Sequence, residues 1–251
     1  MSVAEMARDL RLRLDANALA EHCGYELDSW QRELVNSPAK QTLIAAARQV
    51  GKTLACAIVA AHEALRLPDG LIVVVSPSQR QSTELFRQVV ELLRKSGLEP
   101  ITAESSMRCE LGNGSRVVAL PGSSQTIRGL SGARAIIVDE SAFVPDELYA
   151  AVLPMAATSD GRMILASSPA GSSGYFATQW RDGGDTWERV RVRADECSRI
   201  SPEFLQRQRL MLTKQQYQAE FEAEFVDGIG SVFSASDIAA MHSEPITAWE
   251  L

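Results

Sequence analysis

Short runs of consecutive apolar residues alternate along the chain with longer segments whose apolar residues recur at helical spacing. The runs predict four buried strands, at 42–47, 71–76, 135–138 and 163–167. The helical segments lie at 4–22, from 28 onward, and at 52–67, 79–96, 146–155 and 175–180. Buried strands that alternate with helices are typical of a parallel sheet covered on both faces. The pattern therefore predicts an α/β fold.

Two segments depart from this alternation. Gly112, Asn113 and Gly114 separate the apolar runs 109–111 and 116–120, which predicts a β-hairpin because Asn-Gly readily adopts the turn conformation. From Ser201 onward the pattern is helical only, which predicts a small helical appendage behind the α/β core.

Composition narrows the classes of protein that fit. The 251 residues are 45% hydrophobic and 23% charged, which excludes disorder as the main state and fits one large domain, or a core with a small satellite. The formal net charge of −7 repels phosphate on average, so any nucleic-acid contact needs a local basic patch. Four scattered cysteines without a Cys-x-x-Cys pair argue against a disulfide framework or a cysteine metal cluster. Since neither a bilayer-spanning run nor a signal peptide is visible, we expect a soluble intracellular protein without membrane contact.

The residues after the first strand fit a phosphate-binding loop, with alanine in place of the motif's first glycine. In this pattern the backbone N–H groups and the positive end of the following helix surround a phosphate. Lys52 is expected to reach the β- and γ-phosphates of a nucleotide, and Thr53 to offer its hydroxyl to Mg²⁺. An ordinary strand–turn–helix connection that contains Gly-Lys-Thr by chance is the alternative. The predicted nucleotide-binding residues of the loop are Ala46, Ala47, Arg48, Gln49, Val50, Gly51, Lys52 and Thr53.

Two adjacent carboxylates, Asp139 and Glu140, end the third predicted strand. Neighbouring carboxylates repel each other, so a site that holds both usually contains a cation or a reaction that uses them. Asp139 is placed to hold Mg²⁺, directly or through a water, and Glu140 to deprotonate an attacking water as a general base. A solvated pair at the start of a loop is the alternative. Beside a phosphate loop, the pair predicts nucleotide hydrolysis.

These motifs resemble, over nearly the whole chain, the ATPase domain of large terminase subunits, the DNA-packaging motors of tailed phages. Arg48 inside the phosphate loop is similar to the variant loop of that family. The resemblance extends to the family's glutamine motif, the element after its second strand, its coupling motif and its lid helix, at 28–31, 75–79, 164–171 and 217–225. It implies a RecA-like P-loop NTPase core over 1–195 and a helical lid over 196–230. Residues 231–251 would be a linker toward a nuclease domain that the chain lacks.

The resemblance also implies roles for residues outside the two motifs. Gln31 would contact adenine, although it also fits a capping box with the aspartate three residues earlier. Arg48 would sense a phosphate in its own subunit, or simply lie on the surface. Ser167 and Ser168 would sense the γ-phosphate and couple hydrolysis to movement, or merely end their strand. Arg128, on a loop with two glycines, would serve as an arginine finger for a neighbouring subunit; a salt bridge or a contact with DNA phosphate is its alternative.

The function implied is Mg²⁺-dependent ATP hydrolysis that drives double-stranded viral DNA into a procapsid, without nuclease activity. The expected partners are double-stranded DNA, further copies of the chain in a ring on the portal, and a small terminase subunit, in the cytoplasm of the infected bacterial host. Two other enzyme-related hypotheses stay open: a helicase-like DNA translocase, which needs a second RecA-like lobe, and a nucleotide-dependent assembly module with little turnover. A plain α/β scaffold that binds no nucleotide is the remaining alternative.

Overall fold

The structure is a computed structural model that describes residues 2–122 and 130–226. Its strands are β1 (Gln41–Ala46), β2 (Leu71–Ser76), β3 (Ile101–Glu104), β4 (Arg108–Leu111), β5 (Arg116–Pro121), β6 (Ala133–Asp139), β7 (Arg162–Ser167) and β8 (Glu188–Val192). They form one mixed sheet in the order β3-β4-β5-β2-β6-β7-β1-β8. Strand β4 pairs antiparallel with β3 and β5, and the other neighbours are parallel. The α/β fold and the β4–β5 hairpin are confirmed, whereas the apolar pattern predicted neither β3 nor β8.

Helices cover both faces of this sheet. They are α1 (Val3–Leu14), α2 (Ala16–His22), α3 (Ser29–Val35), α4 (Lys52–Arg66), α5 (Gln79–Ser96), α6 (Asp146–Val152), α7 (Tyr175–Asp182), α8 (Pro202–Met211) and α9 (Lys214–Phe221). One face packs against α2 to α5, in a core that includes Ile58 and Phe86, and the other packs against α6 and α7 through Leu148 and Phe176. All six residues of β2 are buried, as expected for a strand covered on both sides.

The single helix predicted over 4–22 is wrong, because Asp15 divides it into α1 and α2. Asp15 has an extended backbone, with φ −130° and ψ 107°. Its carboxylate accepts hydrogen bonds from the N–H groups of Asn17 at 2.9 Å and Ala18 at 3.2 Å. It thereby caps the first turn of α2, whose N–H groups have no partner within the helix.

Helices α8 and α9 form the helical segment that the sequence predicts after Ser201. The rings of Phe204 and Phe221 meet edge to face, with centroids 6.0 Å apart. The segment is fixed to the edge strand β8, since Arg191 Nη2 donates to the carbonyl oxygen of Glu222 at 3.0 Å. Residues 227–251, which include the predicted linker, lie outside the described part of the chain. No helix in the described ranges is both long and apolar enough to cross a bilayer.

The strand order brings the predicted motifs to one edge of the sheet. Strands β6, β7 and β1 are parallel neighbours, so their carboxyl ends lie side by side. The phosphate loop follows β1, the acidic pair ends β6, and Ser167 ends β7. In open α/β sheets ligands bind outside the carboxyl ends of the strands, and this edge is therefore the candidate site.

Candidate functional site

The phosphate loop joins β1 to α4 through two residues with positive φ. Gln49 has φ 61°, and Gly51, the N-cap of α4, has φ 93° in the left-handed region. That region favours glycine because a Cβ atom crowds the backbone there. A Cβ on Gly51 would also lie 2.7 Å from Gln31 Nε2. Both the conformation and the space therefore require glycine at position 51.

Alanine fits in place of the first glycine of the loop motif. Ala46 is the last residue of β1, lies opposite Val192 of β8, and is fully buried. Ala47 continues this pairing, since its N–H donates to the Val192 carbonyl at 2.9 Å. Because position 46 still has strand conformation, it does not need the conformational freedom of glycine.

The start of α4 faces the acidic pair. Thr53 Oγ1 donates a hydrogen bond to Asp139 Oδ2 at 2.9 Å. Lys52 is 6% exposed, and its Nζ lies 3.7 Å from Glu140 Oε1. Ser167 Oγ donates to Glu140 Oε2 at 3.3 Å. The structure thus brings together five of the predicted site residues, from three neighbouring elements.

The site has one excess negative charge, because two carboxylates face one lysine. Burial raises the pKa of Asp139 to about 6, and the neighbouring Glu140 carboxylate acts in the same direction. The Lys52 ammonium and the hydrogen bond from Thr53 act to lower the pKa of Asp139, but they do not compensate. An added cation would favour the ionised carboxylate.

The donor set at this point fits Mg²⁺. A threonine hydroxyl and a carboxylate are oxygen ligands of the kind that Mg²⁺ prefers, and this ion usually completes its shell with waters and substrate phosphates. Residues 2–122 and 130–226 contain no group of three or more His, Cys, Asp or Glu side chains that could hold a metal ion by themselves. Thr53 and Asp139 thus supply two oxygen ligands of the kind that Mg²⁺ takes.

Glu140 has an unusual backbone for a non-glycine residue. Its φ is 51°, and its N–H donates to Asp139 Oδ1 at 3.1 Å. Such a conformation costs free energy and persists only where the surroundings enforce it, often at functional sites. The bend turns the chain from the end of β6 into a short helical turn at Ser141–Phe143.

Arg48 is bound by the C-terminal helical segment. Its Nε donates to Glu220 Oε2, and its backbone N–H donates to the carbonyl oxygen of Glu220 at 3.0 Å. The phosphate loop is therefore joined to α9 by both main chain and side chain. A role of Arg48 in sensing phosphate stays a prediction.

Gln31 contacts the phosphate loop. Its Oε1 accepts from the Asp28 N–H at 2.9 Å, and its Nε2 donates to the carbonyl oxygen of Gly51 at 3.0 Å. The side chain is 1% exposed. The first of these hydrogen bonds is one of the two that form a capping box. The contact of Gln31 with adenine stays a prediction.

Three further predicted site residues lie in the same two segments, the phosphate loop and the end of β7. Ser168 is buried just beyond Ser167, Val50 is buried, and Gln49 is exposed. Arg128 lies outside the described residues, so its predicted role as an arginine finger stays a prediction.

Arg199 is a site residue that the sequence analysis missed. It lies between β8 and α8, and its Nη2 donates to the carbonyl oxygen of Val50 at 3.1 Å. The same guanidinium pairs with Asp28 through two contacts, at 3.0 Å and 2.8 Å. No local pattern could have revealed it, because its partners lie far away in the sequence and it belongs to no motif.

The chain is similar to known proteins over most of its length. Residues 43–240 match the family model for the terminase large subunit, T4likevirus-type, N-terminal. Among curated proteins, the large terminase subunit of Thermus phage G20c is 26% identical to this chain, over 87% of this chain and 52% of that protein. The chain thus spans about half the length of the curated relatives it matches.

Solved structures share the fold. The ATPase domain of the large terminase of Thermus phage P74-26 has a TM-score of 0.74 at 20% identity, covering 82% of this chain and 97% of that domain. The large terminase of a thermophilic bacteriophage, in complex with ATP-gamma-S, has a TM-score of 0.64 at 15% identity, covering 80% of this chain and 53% of that one. These likenesses confirm the RecA-like fold predicted from the sequence.

Proposed function

The chain belongs to the family of large terminase subunits, and on this premise we propose that it hydrolyses ATP with Mg²⁺ to drive double-stranded viral DNA into a procapsid. The observation that carries the proposal is the meeting of Lys52, Thr53, Asp139, Glu140 and Ser167 at one edge of the sheet. The ATP-gamma-S complex of a protein with the same fold supports a nucleotide as the ligand.

Lys52 would hold the phosphates together with the loop amides. Its ammonium is buried and lies 3.7 Å from the nearest carboxylate oxygen, that of Glu140, which is longer than a hydrogen bond. Within the residues that the structure describes the ammonium makes no hydrogen bond, so its three donors could form charge-assisted hydrogen bonds with the β- and γ-phosphate oxygens. When bound, Mg²⁺ would neutralise charge on those phosphates, and Thr53 and Asp139 are the residues that would hold it.

Glu140 would accept a proton from the attacking water. One oxygen of its carboxylate is held by the Ser167 hydroxyl, and the other faces Lys52. A general base must lie within hydrogen-bond reach of the proton it takes, so its orientation decides the rate. Ser167 ends β7, the strand between β1 and β6, and this position supports a role for Ser167 in coupling hydrolysis to movement.

The proposal includes the partners that the resemblance implies. They are double-stranded DNA, further copies of the chain in a ring on the portal, and a small terminase subunit, in the cytoplasm of the bacterial host. The segment 196–230 would act as a lid, which the contacts of Arg48 with Glu220 support because they join the phosphate loop to α9. We expect no DNA cleavage by this chain.

Steady-state ATP hydrolysis, measured with and without Mg²⁺ and DNA, tests the proposal. Lys52→Ala should lose nucleotide binding, and Glu140→Gln should bind ATP but hydrolyse it roughly 10²-fold or more slowly, since an amide cannot accept the proton. Glu147→Gln, an exposed carboxylate on α6, is the matched control and should keep the wild-type rate. Wild-type turnover by Glu140→Gln would exclude the general-base role, and ATP binding without turnover in the wild type would favour the assembly module.

Arg128 is the proposed arginine finger, and mixed subunits test it. Arg128→Ala should bind ATP but lose the rise of turnover with protein concentration. Mixing Arg128→Ala with Lys52→Ala should restore activity, because at some interfaces an intact nucleotide pocket of one subunit then meets an intact arginine finger of the other. An arginine finger accelerates hydrolysis by roughly 10³ to 10⁵. An assembled mixture that stays inactive would contradict action across the interface.

A further inference from the structure

Two consecutive carbonyl groups of the phosphate loop are held from outside the loop. Arg199 Nη2 donates to the carbonyl oxygen of Val50 at 3.1 Å, and Gln31 Nε2 donates to that of Gly51 at 3.0 Å. Both side chains are tied to one residue, Asp28, whose carboxylate pairs with Arg199 and whose N–H donates to Gln31. We name these three residues, Asp28, Gln31 and Arg199, the loop clamp.

Because the peptide bond is planar, a hydrogen bond to a loop carbonyl from outside the loop also fixes the direction of the next N–H group. In a trans peptide the C=O and the following N–H are fixed in one plane and point in opposite directions. A donor that holds the Val50 carbonyl therefore directs the Gly51 N–H to the other side, and a donor on the Gly51 carbonyl does the same for the Lys52 N–H. Neither of these N–H groups has a hydrogen-bond acceptor among the residues that the structure describes.

The two peptides differ in how strongly they depend on the clamp. The Gly51 carbonyl also accepts from the Ala55 N–H at 3.2 Å, as the first bond of α4, so the helix itself helps to orient it. The Val50 carbonyl precedes the helix, and in the described ranges its hydrogen-bond partner is Arg199. The orientation of the Gly51 N–H thus rests on Arg199.

Gly51 is packed closely against two residues of the loop clamp. Its φ of 93° belongs to the left-handed region, and a Cβ there would lie 2.7 Å from Gln31 Nε2 and 3.3 Å from Arg199 Nη2. The two clamp donors therefore lie close to Gly51, on the side to which a Cβ atom would project. A guanidinium suits this position, because its planar set of N–H donors can bind both oxygens of a carboxylate and still donate a hydrogen bond to a carbonyl.

We propose that Arg199 is a positioning residue for phosphate binding, which holds the Val50–Gly51 peptide so that the Gly51 N–H faces a nucleotide phosphate. This inference rests on the proposed function, since it assigns the loop a nucleotide. Arg199 comes from the connection between β8 and α8, and Asp28 precedes α3. The clamp thus makes the shape of the phosphate loop depend on two segments that belong to no phosphate-binding motif.

Binding of Mg²⁺ with ATP, GTP or inorganic tripolyphosphate to the full chain tests the clamp, alongside kcat and KM for ATP. Arg199→Ala should weaken all three ligands by a similar factor, about tenfold, because the lost contact orients a group that binds phosphate rather than base. KM should rise with little change in kcat. Arg199→Lys should recover part of the affinity, because an ammonium can still donate to the Val50 carbonyl but lacks the planar set of donors.

The chain offers a matched control in Arg193. Its guanidinium pairs with Asp195 through two contacts of 3.0 Å in the same connection. Arg193→Ala should leave all three affinities unchanged within about twofold, since it removes an arginine ion pair from the same connection without loss of a contact with the loop. Thermal unfolding of each variant establishes that it is folded. Arg199→Met, which keeps much of the side-chain volume but has no hydrogen-bond donor, replaces Arg199→Ala if that variant does not fold.

Three results would overturn the inference. Wild-type binding of tripolyphosphate by folded Arg199→Ala, or by Arg199→Met in its place, would show that Arg199 does not orient the loop. A loss confined to ATP and GTP would place the effect at the nucleoside instead. A wild-type chain that binds none of the three ligands would refute the proposed function together with the clamp, whereas wild-type binding that the variants match refutes the clamp alone.

Discussion

Replacing Asp139 with asparagine should stabilise the metal-free fold while it abolishes ATP hydrolysis. Asp139 is 5% exposed, and burial together with the Glu140 carboxylate raises its pKa from 3.8 to about 6. Because the folded-state pKa lies above that of the unfolded chain, the carboxyl group stabilises the fold fully below pH 3.8. This contribution is lost as the pH rises through 6, and at neutral pH the ionised carboxylate lowers the stability of the folded state.

The size of the effect follows from the pKa difference. The step from 3.8 to about 6 corresponds to about 3 kcal/mol in the free energy of unfolding. Asparagine can keep both hydrogen bonds of the site, since its Oδ1 can accept from the Glu140 N–H and its Nδ2 can donate to Thr53 Oγ1. In a chain of this length 1 kcal/mol corresponds to about 2–4 °C in Tm, so Asp139→Asn should raise Tm by about 6–12 °C at pH 7.5.

Urea unfolding in EDTA at about pH 7.5 and at about pH 4 measures this gain in the free energy of unfolding. The two pH values are compared because the carboxyl group of Asp139 is ionised to different extents at each. At about pH 4 the gain should fall below about 1 kcal/mol, because both states then bind the proton for much of the time. Asp182→Asn removes an exposed carboxylate and is the control. An absent gain at the higher pH, or the same gain at both pH values, would refute the electrostatic reasoning. Loss of ATP hydrolysis in the same variant checks the role of Asp139 in the site.

Three other predictions concern the scaffold. Gly51→Ala should lower both Tm and ATP affinity by more than Gly24→Ala, because both glycines have positive φ but only the new Cβ at position 51 meets a neighbour, Gln31 Nε2 at 2.7 Å. Asp15→Ala should lower the free energy of unfolding in urea by about 1 kcal/mol through loss of the α2 cap. The thiol of Cys56 is fully buried and burial raises its pKa, so its reaction with a disulfide reagent should follow unfolding; rapid modification of the native protein would contradict the packing.

The parts of the fold that the sequence predicts are those with a local signal. Strands β1, β2, β6 and β7 are continuous apolar runs, and the hairpin has its Asn-Gly turn. Strand β8 reads Glu-Arg-Val-Arg-Val, and its charges fit an edge position where Arg191 bonds the Glu222 carbonyl. The break at Asp15 escaped prediction because an aspartate on a helix surface and one that caps a new helix look alike in sequence.

The same distinction holds at the site. Lys52, Thr53, Asp139 and Glu140 follow directly from motif spacing, since each motif lies within one strand–loop unit. Arg199 could not be found in this way, because its contacts with the loop and with Asp28 are made only when distant segments pack. A motif therefore identifies the groups that meet the ligand, and the structure is needed to see what holds them.

The position of β1 between β7 and β8 has a consequence for how the chain is made. Strands β2 to β5 come from one continuous stretch and can pair soon after they leave the ribosome, but β1 pairs with β7 and β8. At about 5–20 residues per second, β1 waits roughly 6–25 seconds for β7 to be synthesised. During that time an apolar strand is without its partners, and no nucleotide can stabilise a loop that is not yet shaped. Nascent or prematurely ended chains should therefore aggregate through β1 and depend on chaperones.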